Sequence, residues 1–129
     1  MTSRTVTLNV PPEAQFARTV RMTAANLAVC CGMNVDDVED VRIAAEEGFV
    51  YACATRPQTC DIAFELASDK MDMDFTLGEE DPDEASDASG EPQPIDLIEV
   101  LLDAVCDDYS LGPDGMTLHL SKKIGAENA

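Results

Sequence analysis

Three stretches of the chain alternate apolar and polar residues, and each is apolar on one side only. They are residues 5–10, a hairpin over Cys60–Leu77 with its turn at Ala67–Asp69, and a last strand at Met116–Ser121. Strands apolar on one face belong to a sheet covered by helices on one side, whereas a doubly wound sheet needs strands apolar on both faces. The predicted order of elements is β-α-α-β-β-α-β. The sequence therefore predicts an α/β (α+β) two-layer sandwich, with one mostly antiparallel sheet and its helices packed on one face.

Helical periodicity fills most of the chain between these strands. The first helix follows a proline pair and runs to about Cys31, where Gly32 is placed to end it in a left-handed conformation. Asn34 is expected to cap the second helix, which ends near Thr55. A third helix is predicted over residues 95–106.

The second helix carries two distinct faces between Val38 and Cys53. Its apolar stripe suits packing on a sheet and consists of Val38, Val41, Ala45, Phe49 and Ala52. Another face presents Asp40, Glu47 and Tyr51. Glu47 and Tyr51 are four residues apart, so their side chains project from the same side and can address one ligand.

Length and charge restrict the classes of function. At 129 residues we expect one domain, spanning 1–129. The net charge of −18 and the pI of about 4.1 argue against nucleic acid or an anionic membrane surface, and favour a basic protein partner. The apolar stretches are shorter than the ~20 residues of a membrane span, and no signal-peptide pattern opens the chain. We therefore expect a cytoplasmic protein.

An acidic segment separates the hairpin from the third helix. Residues 78–94 hold seven carboxylates among glycine, proline, serine and alanine, with no large apolar residue. This composition predicts a mobile loop. Its simpler interpretation is a solubilising linker, and the alternative is that it steers a basic partner by long-range attraction.

The cysteines and the histidine give no sign of a metal site. The five cysteines form no Cys-x-x-Cys pair, and His119 is the only histidine, so we assign no metal ligand. Each cysteine is expected to act as a small buried apolar side chain. His119 is expected on the polar side of the last strand, without a functional role.

Three segments carry a resemblance to a known family. Residues 38–47 read Val-Glu-Asp-Val-Arg-Ile-Ala-Ala-Glu-Glu, and residues 97–105 and 115–124 resemble the last helix and strand of the same family. The chain resembles the anti-sigma-factor serine kinases of the RsbW type, within the superfamily of histidine kinases, gyrase and the Hsp90 chaperones. The resemblance implies a histidine-kinase-like ATPase fold with a nucleotide site.

At the positions of that site the chain departs from the family. Glu47 matches the family's general base, but Tyr51 stands where the family has a magnesium-binding asparagine, and a phenol is a poor ligand for Mg²⁺. Leu77, Gly78 and Glu79 occupy the place of the Asp-x-Gly segment that binds adenine, and leucine cannot accept the hydrogen bond of the adenine amino group. In place of the glycine-rich lid the chain has Glu91-Pro92-Gln93-Pro94-Ile95. The resemblance thus implies a degenerate nucleotide site, in which Glu47 is a vestigial candidate base.

Three functions follow as hypotheses. In the first, the protein regulates transcription by binding a protein, either a sigma factor or an anti-sigma antagonist, with ATP binding lost or weakened and no cofactor. In the second, it is an active ATP-dependent serine kinase that uses ATP and Mg²⁺, with Glu47 as base and residues 78–94 as an unusual lid. In the third, it is an acidic decoy or structural subunit. A homodimer formed through an exposed sheet edge remains open in each case.

Overall fold

The computed structural model of the chain describes residues 4–80 and 95–124. These residues form one five-stranded sheet of order β1-β2-β3-β5-β4, in which all neighbouring strands are antiparallel, together with three α-helices. The predicted α+β fold is therefore confirmed. The elements are β1 (Arg4–Val10), α1 (Ala17–Cys30, preceded by a 3₁₀ turn at Ala14–Phe16), α2 (Val35–Ala54), β2 (Cys60–Leu66), β3 (Lys70–Thr76), α3 (Ile95–Val105), β4 (Asp108–Leu111) and β5 (Thr117–Lys123).

The predicted hairpin forms the centre of the sheet. Ile62 lies opposite Phe75 and Phe64 opposite Met73, and all four side chains are fully buried. Burying a side chain of this kind contributes roughly 1.5–3 kcal/mol relative to leaving it in water. The one-sided alternation in the sequence therefore corresponds to the face of the sheet that the helices cover.

Local signals fix the junction between α1 and α2. Gly32 has a φ of +83°, and the N–H of Met33 donates to the carbonyl of Ala28 over 3.2 Å, which closes α1 with a Schellman motif. The side chain of Asn34 accepts a hydrogen bond of 2.8 Å from the N–H of Asp37 and caps α2. Both features agree with the prediction from the sequence.

Helix α2 lies close against β3 and β5. A Cβ atom added to Gly48 would stand 2.8 Å from the ring of Phe75 and 3.1 Å from Leu120, so only glycine permits this approach. On the side of β5, the ammonium of Lys122 lies 2.9 Å from Asp40 and 3.8 Å from Asp37. These contacts fix the position of α2 and of the side chains along it.

The sequence analysis missed strand β4. Only Tyr109 and Leu111 alternate within its four residues, and the strand lies at the edge of the sheet, so the pattern is too short to detect. Tyr109 pairs with Leu120 and Leu111 with Leu118 on β5. The predicted mobile loop falls almost entirely on residues 81–94, which lie outside the described residues.

The expectation that every cysteine is buried was wrong for Cys30. Cys60 is buried and three others are partly buried, whereas Cys30 is exposed in the last turn of α1, away from the buried stripe of that helix. All five thiols are free. Burial raises the pKa of Cys60 and of Cys106 to about 12.

His119 lies on the outer face of the sheet, as its place in the alternation predicts. Its Nδ1 atom is 2.6 Å from Oδ1 of Asp74 on the neighbouring strand, a contact that the sequence did not reveal. Within residues 4–80 and 95–124, no helix has the length and apolar character needed to cross a bilayer.

Candidate functional site

Glu47 lies in the middle of α2 with its side chain half-buried. Its Oε1 atom is inaccessible to solvent and has no hydrogen-bond partner among the described residues. Burial raises the pKa of this carboxyl above its ordinary value of 4.5, and the neighbouring charge of Glu46 raises it further. The position therefore favours the protonated form of Glu47 more than water does.

Tyr51, one turn further along α2, lines an open pocket of about 270 Å³. Four elements, α2, α3, β4 and β5, contribute side chains to this pocket. Its other lining residues are Ile98, Glu99, Leu102, Tyr109, Ser110, Leu111 and Leu118. We call this cavity the α3/β4 pocket.

The lining of the α3/β4 pocket is mainly apolar. Among the described residues that line it, Glu99 carries the single charged group, and none is a lysine, arginine or histidine. Phosphate groups are held in proteins by cationic side chains or by backbone N–H groups at a helix N-terminus. The described lining therefore suits an apolar group better than a triphosphate.

Leu77 and Gly78 follow β3 and lie against the end of α2. Leu77 is buried, and its N–H donates to the carbonyl of Met116 over 2.9 Å. A Cβ atom added to Gly78 would lie 2.1 Å from the carbonyl oxygen of Thr55, so two backbone segments meet where only glycine fits. Glu79, the next residue, is exposed.

Thr55 joins the two segments and was not singled out from the sequence. Its hydroxyl donates to the carbonyl of Ala52 over 2.6 Å and accepts from the N–H of Gly78 over 2.7 Å, and the residue is only 3% exposed. The sequence signal that could have indicated Thr55 is that a residue with a hydroxyl group stands at the predicted end of the second helix. Beyond it, Arg56 has a φ of +55° and forms an ion pair of 3.2 Å with Glu80.

The structure thus groups the predicted site residues around the C-terminal half of α2, but only one of them lines the pocket. Glu47 and Tyr51 project from the helix itself, and Thr55 fastens Gly78 to its end. Tyr51 lines the α3/β4 pocket, whereas Glu47, Leu77, Gly78 and Glu79 do not. The roles given to these residues remain predictions.

This chain is similar to a serine-protein kinase. Over 75 residues it is 31% identical to the serine-protein kinase RsbW of Halalkalibacterium halodurans. The match covers 56% of this chain and 46% of the relative, so the chain spans about half the length of the curated relative that it matches. No protein-family model matches the chain. The resemblance to the RsbW type therefore has support in a distant relative.

Proposed function

We propose that this protein is a regulator of the anti-sigma-factor type, with a histidine-kinase-like ATPase fold, that acts by binding another protein while nucleotide binding is lost or weakened. The observation that carries the proposal is the environment of Tyr51. The family's magnesium-binding asparagine would stand at this position, and here an aromatic ring borders a mainly apolar pocket. The similarity to RsbW supports the regulatory class.

Magnesium binding is the first function that this environment disfavours. Mg²⁺ takes carboxylate, carbonyl and water oxygens in a near-octahedral arrangement, usually together with substrate phosphates. The neutral phenol of Tyr51 replaces an amide oxygen. In the described part of the lining, Glu99 is the one carboxylate, and no cationic side chain is present there to hold a phosphate. We therefore expect neither Mg²⁺ nor a triphosphate to bind well.

Adenine recognition is disfavoured by the segment after β3. Leu77 offers no acceptor to an adenine amino group, and leaving that group buried and unpaired costs about 1–3 kcal/mol. The close approach that Gly78 permits is already taken by the backbone of Thr55 and Pro57. Its N–H is satisfied by the Thr55 hydroxyl rather than left for a ligand.

Charge indicates the kind of partner. With a net charge of −18, the protein is complementary to a basic protein surface, as a sigma factor or an anti-sigma antagonist can present. Association of this kind is steered by charge and weakens as salt screens it. Such a partner would place the protein in the cytoplasm.

The proposal is tested by calorimetric titration of the full chain with Mg-ATP and Mg-ADP at millimolar concentration. The wild type is expected to give neither binding heat nor a thermal shift. A Tyr51→Asn variant, alone and combined with Leu77→Asp, is expected to recover part of the binding, and circular dichroism checks that each variant is folded. The single variant is needed because Leu77 is buried and its replacement by a charge can unfold the chain. Micromolar binding by the wild type would refute the proposal.

An active ATP-dependent serine kinase is the second candidate, and one observation favours it. A general base works best when its pKa lies near the working pH, and burial moves the pKa of Glu47 upward in that direction. Transfer of labelled phosphate from ATP to a serine of a bound sigma factor or antagonist, abolished in Glu47→Gln, would establish this candidate in place of the first.

A further inference from the structure

Strand β4 offers free backbone groups at one edge of the sheet. In the described part of the chain it pairs only with β5. The N–H of Gly112 donates to the carbonyl of Thr117 over 2.8 Å, and this bond shows which residues of β4 direct their backbone groups toward β5. Because hydrogen-bonding direction alternates along an antiparallel strand, Ser110 directs its backbone groups to β5, while Tyr109 and Leu111 direct theirs to the free edge. An extended segment can therefore add to this edge.

The α3/β4 pocket lies directly beside this edge. Tyr109 and Leu111, whose backbone groups face outward, also contribute their side chains to the pocket. Leu111 is 51% exposed, so an apolar side chain borders the pocket at the free edge of the sheet. At about 270 Å³ the pocket is at or below the lower limit of small-molecule sites, which span roughly 300–1,000 Å³. This volume suits a single large side chain.

Two exposed carboxylates lie on the part of α3 that borders the pocket. Glu99 lines the pocket, and Asp103 follows one turn later on α3. Burial raises the pKa of Tyr109, and the negative charges of Asp103 and Glu99 nearby raise it further. We call the α3/β4 pocket and the adjoining free edge of β4 together the groove between α3 and β4. Its negative charge is complementary to a segment that carries positive charge.

We propose that the groove between α3 and β4 binds an extended basic segment of a protein partner, which adds a strand to β4 and places one large apolar side chain in the α3/β4 pocket. Addition of a peptide to a sheet edge is a recurrent mode in which backbone hydrogen bonds supply affinity and a side-chain pocket supplies specificity. Lysine or arginine on either side of the anchor then contacts Glu99 and Asp103. This inference rests on the proposed protein-binding function and specifies where the partner is bound.

The test begins with selection of a displayed library of random ten-residue peptides on the immobilised full chain at low salt. Enriched peptides are expected to carry one large apolar residue flanked by lysine or arginine. Each is then synthesised with a fluorescent label and titrated against the wild type and three variants. Glu99→Lys/Asp103→Lys reverses the charge at the mouth of the pocket, and Leu111→Thr removes apolar contact while keeping a residue that favours strands.

We expect both groove variants to weaken binding at least tenfold. The matched control is Asp61→Lys/Asp69→Lys, which makes the same change in net charge at exposed positions of the β2–β3 hairpin and is expected to stay within about twofold of the wild type once both are compared at the same salt. Methylation of the peptide backbone tests the mode of binding. N-methyl groups at one set of alternate amides should abolish binding, and those at the other set should not, because only one set faces β4.

Three results would overturn the inference. In the first, the selected peptides bind the Glu99→Lys/Asp103→Lys variant as tightly as they bind the Asp61→Lys/Asp69→Lys control. This would place the peptide site elsewhere on the protein, while the proposed protein-binding function would still stand. The second is no enrichment of any peptide. The third is self-association of the wild type in sedimentation that Leu111→Thr abolishes, which would make the groove a contact between copies of this chain. Micromolar Mg-ATP binding would instead refute the proposed function.

Discussion

Replacing Thr55 by valine removes one hydroxyl and keeps the shape of the side chain. In the wild type this hydroxyl bridges Ala52 and Gly78 through hydrogen bonds of 2.6 and 2.7 Å at a residue that is 3% exposed. In Thr55→Val the N–H of Gly78 loses its acceptor at a partly buried position, which costs about 1–3 kcal/mol. The added methyl group returns at most ~0.8 kcal/mol of burial.

We therefore expect Thr55→Val to lower the free energy of unfolding by about 1–2 kcal/mol and the Tm by roughly 3–8 °C. Urea denaturation followed by circular dichroism measures the first quantity, and hydrogen exchange of the Gly78 amide reports the local loss. Thr55→Ser is the matched control, because it keeps the hydroxyl and loses only a methyl group. The reasoning fails if the valine and serine variants are equally stable, or if exchange at Gly78 is the same in both.

Three further predictions concern single side chains. Gly78→Ala should destabilise the fold by about 1–3 kcal/mol in urea denaturation, because its Cβ would lie 2.1 Å from a backbone oxygen. Gly112→Ala is the control and should be nearly neutral, because the nearest atom to its Cβ would lie at 3.5 Å. Equal effects of the two substitutions would contradict this prediction. Because the pKa of Glu47 is raised in the folded state, ionisation of its carboxyl lowers the stability of the wild type as pH rises above about 4.5. The free energy of unfolding of Glu47→Gln should therefore increase relative to that of the wild type between that pH and neutrality. A difference between the two proteins that stays constant or falls with pH would refute this prediction. Cys30 is the exposed thiol, so a thiol reagent should label one cysteine rapidly in the native protein and all five in denaturant, and Cys30→Ser should remove the rapid phase.

Features with local signals could be predicted from the sequence. Gly32 and Asn34 mark a helix end and a helix start through the conformation and hydrogen bonding of single residues, and both lie as expected. The hairpin at Cys60–Leu77 was predicted because strict alternation over two neighbouring strands is hard to mistake. One-sided strands then limited the fold to a sheet with one covered face.

Features made by distant parts of the chain could not be predicted. The bond between Thr55 and Gly78 joins residues 23 positions apart, and that between Asp40 and Lys122 joins residues 82 apart. The α3/β4 pocket needs side chains from four elements, one of which is the undetected β4. Periodicity reveals which face of an element is apolar, but not which neighbouring elements meet around a cavity.

The nucleotide proposal can be tested quantitatively through stability as well as through heat. A ligand that binds only the folded state raises the free energy of unfolding by RT ln(1 + [L]/Kd), which is about 2.7 kcal/mol at a concentration one hundred times Kd. With Mg-ATP at about 5 mM, a stabilisation below ~0.3 kcal/mol corresponds to a Kd above roughly 7 mM, far weaker than a functional kinase site. Tyr51→Asn replaces the aromatic ring at the pocket by an amide. A rise in stability with Mg-ATP in this variant alone would therefore assign the loss to Tyr51. A rise in neither would mean that replacing Tyr51 alone is not sufficient, and would direct the next variants to the other two departures, at Leu77–Glu79 and at residues 91–95.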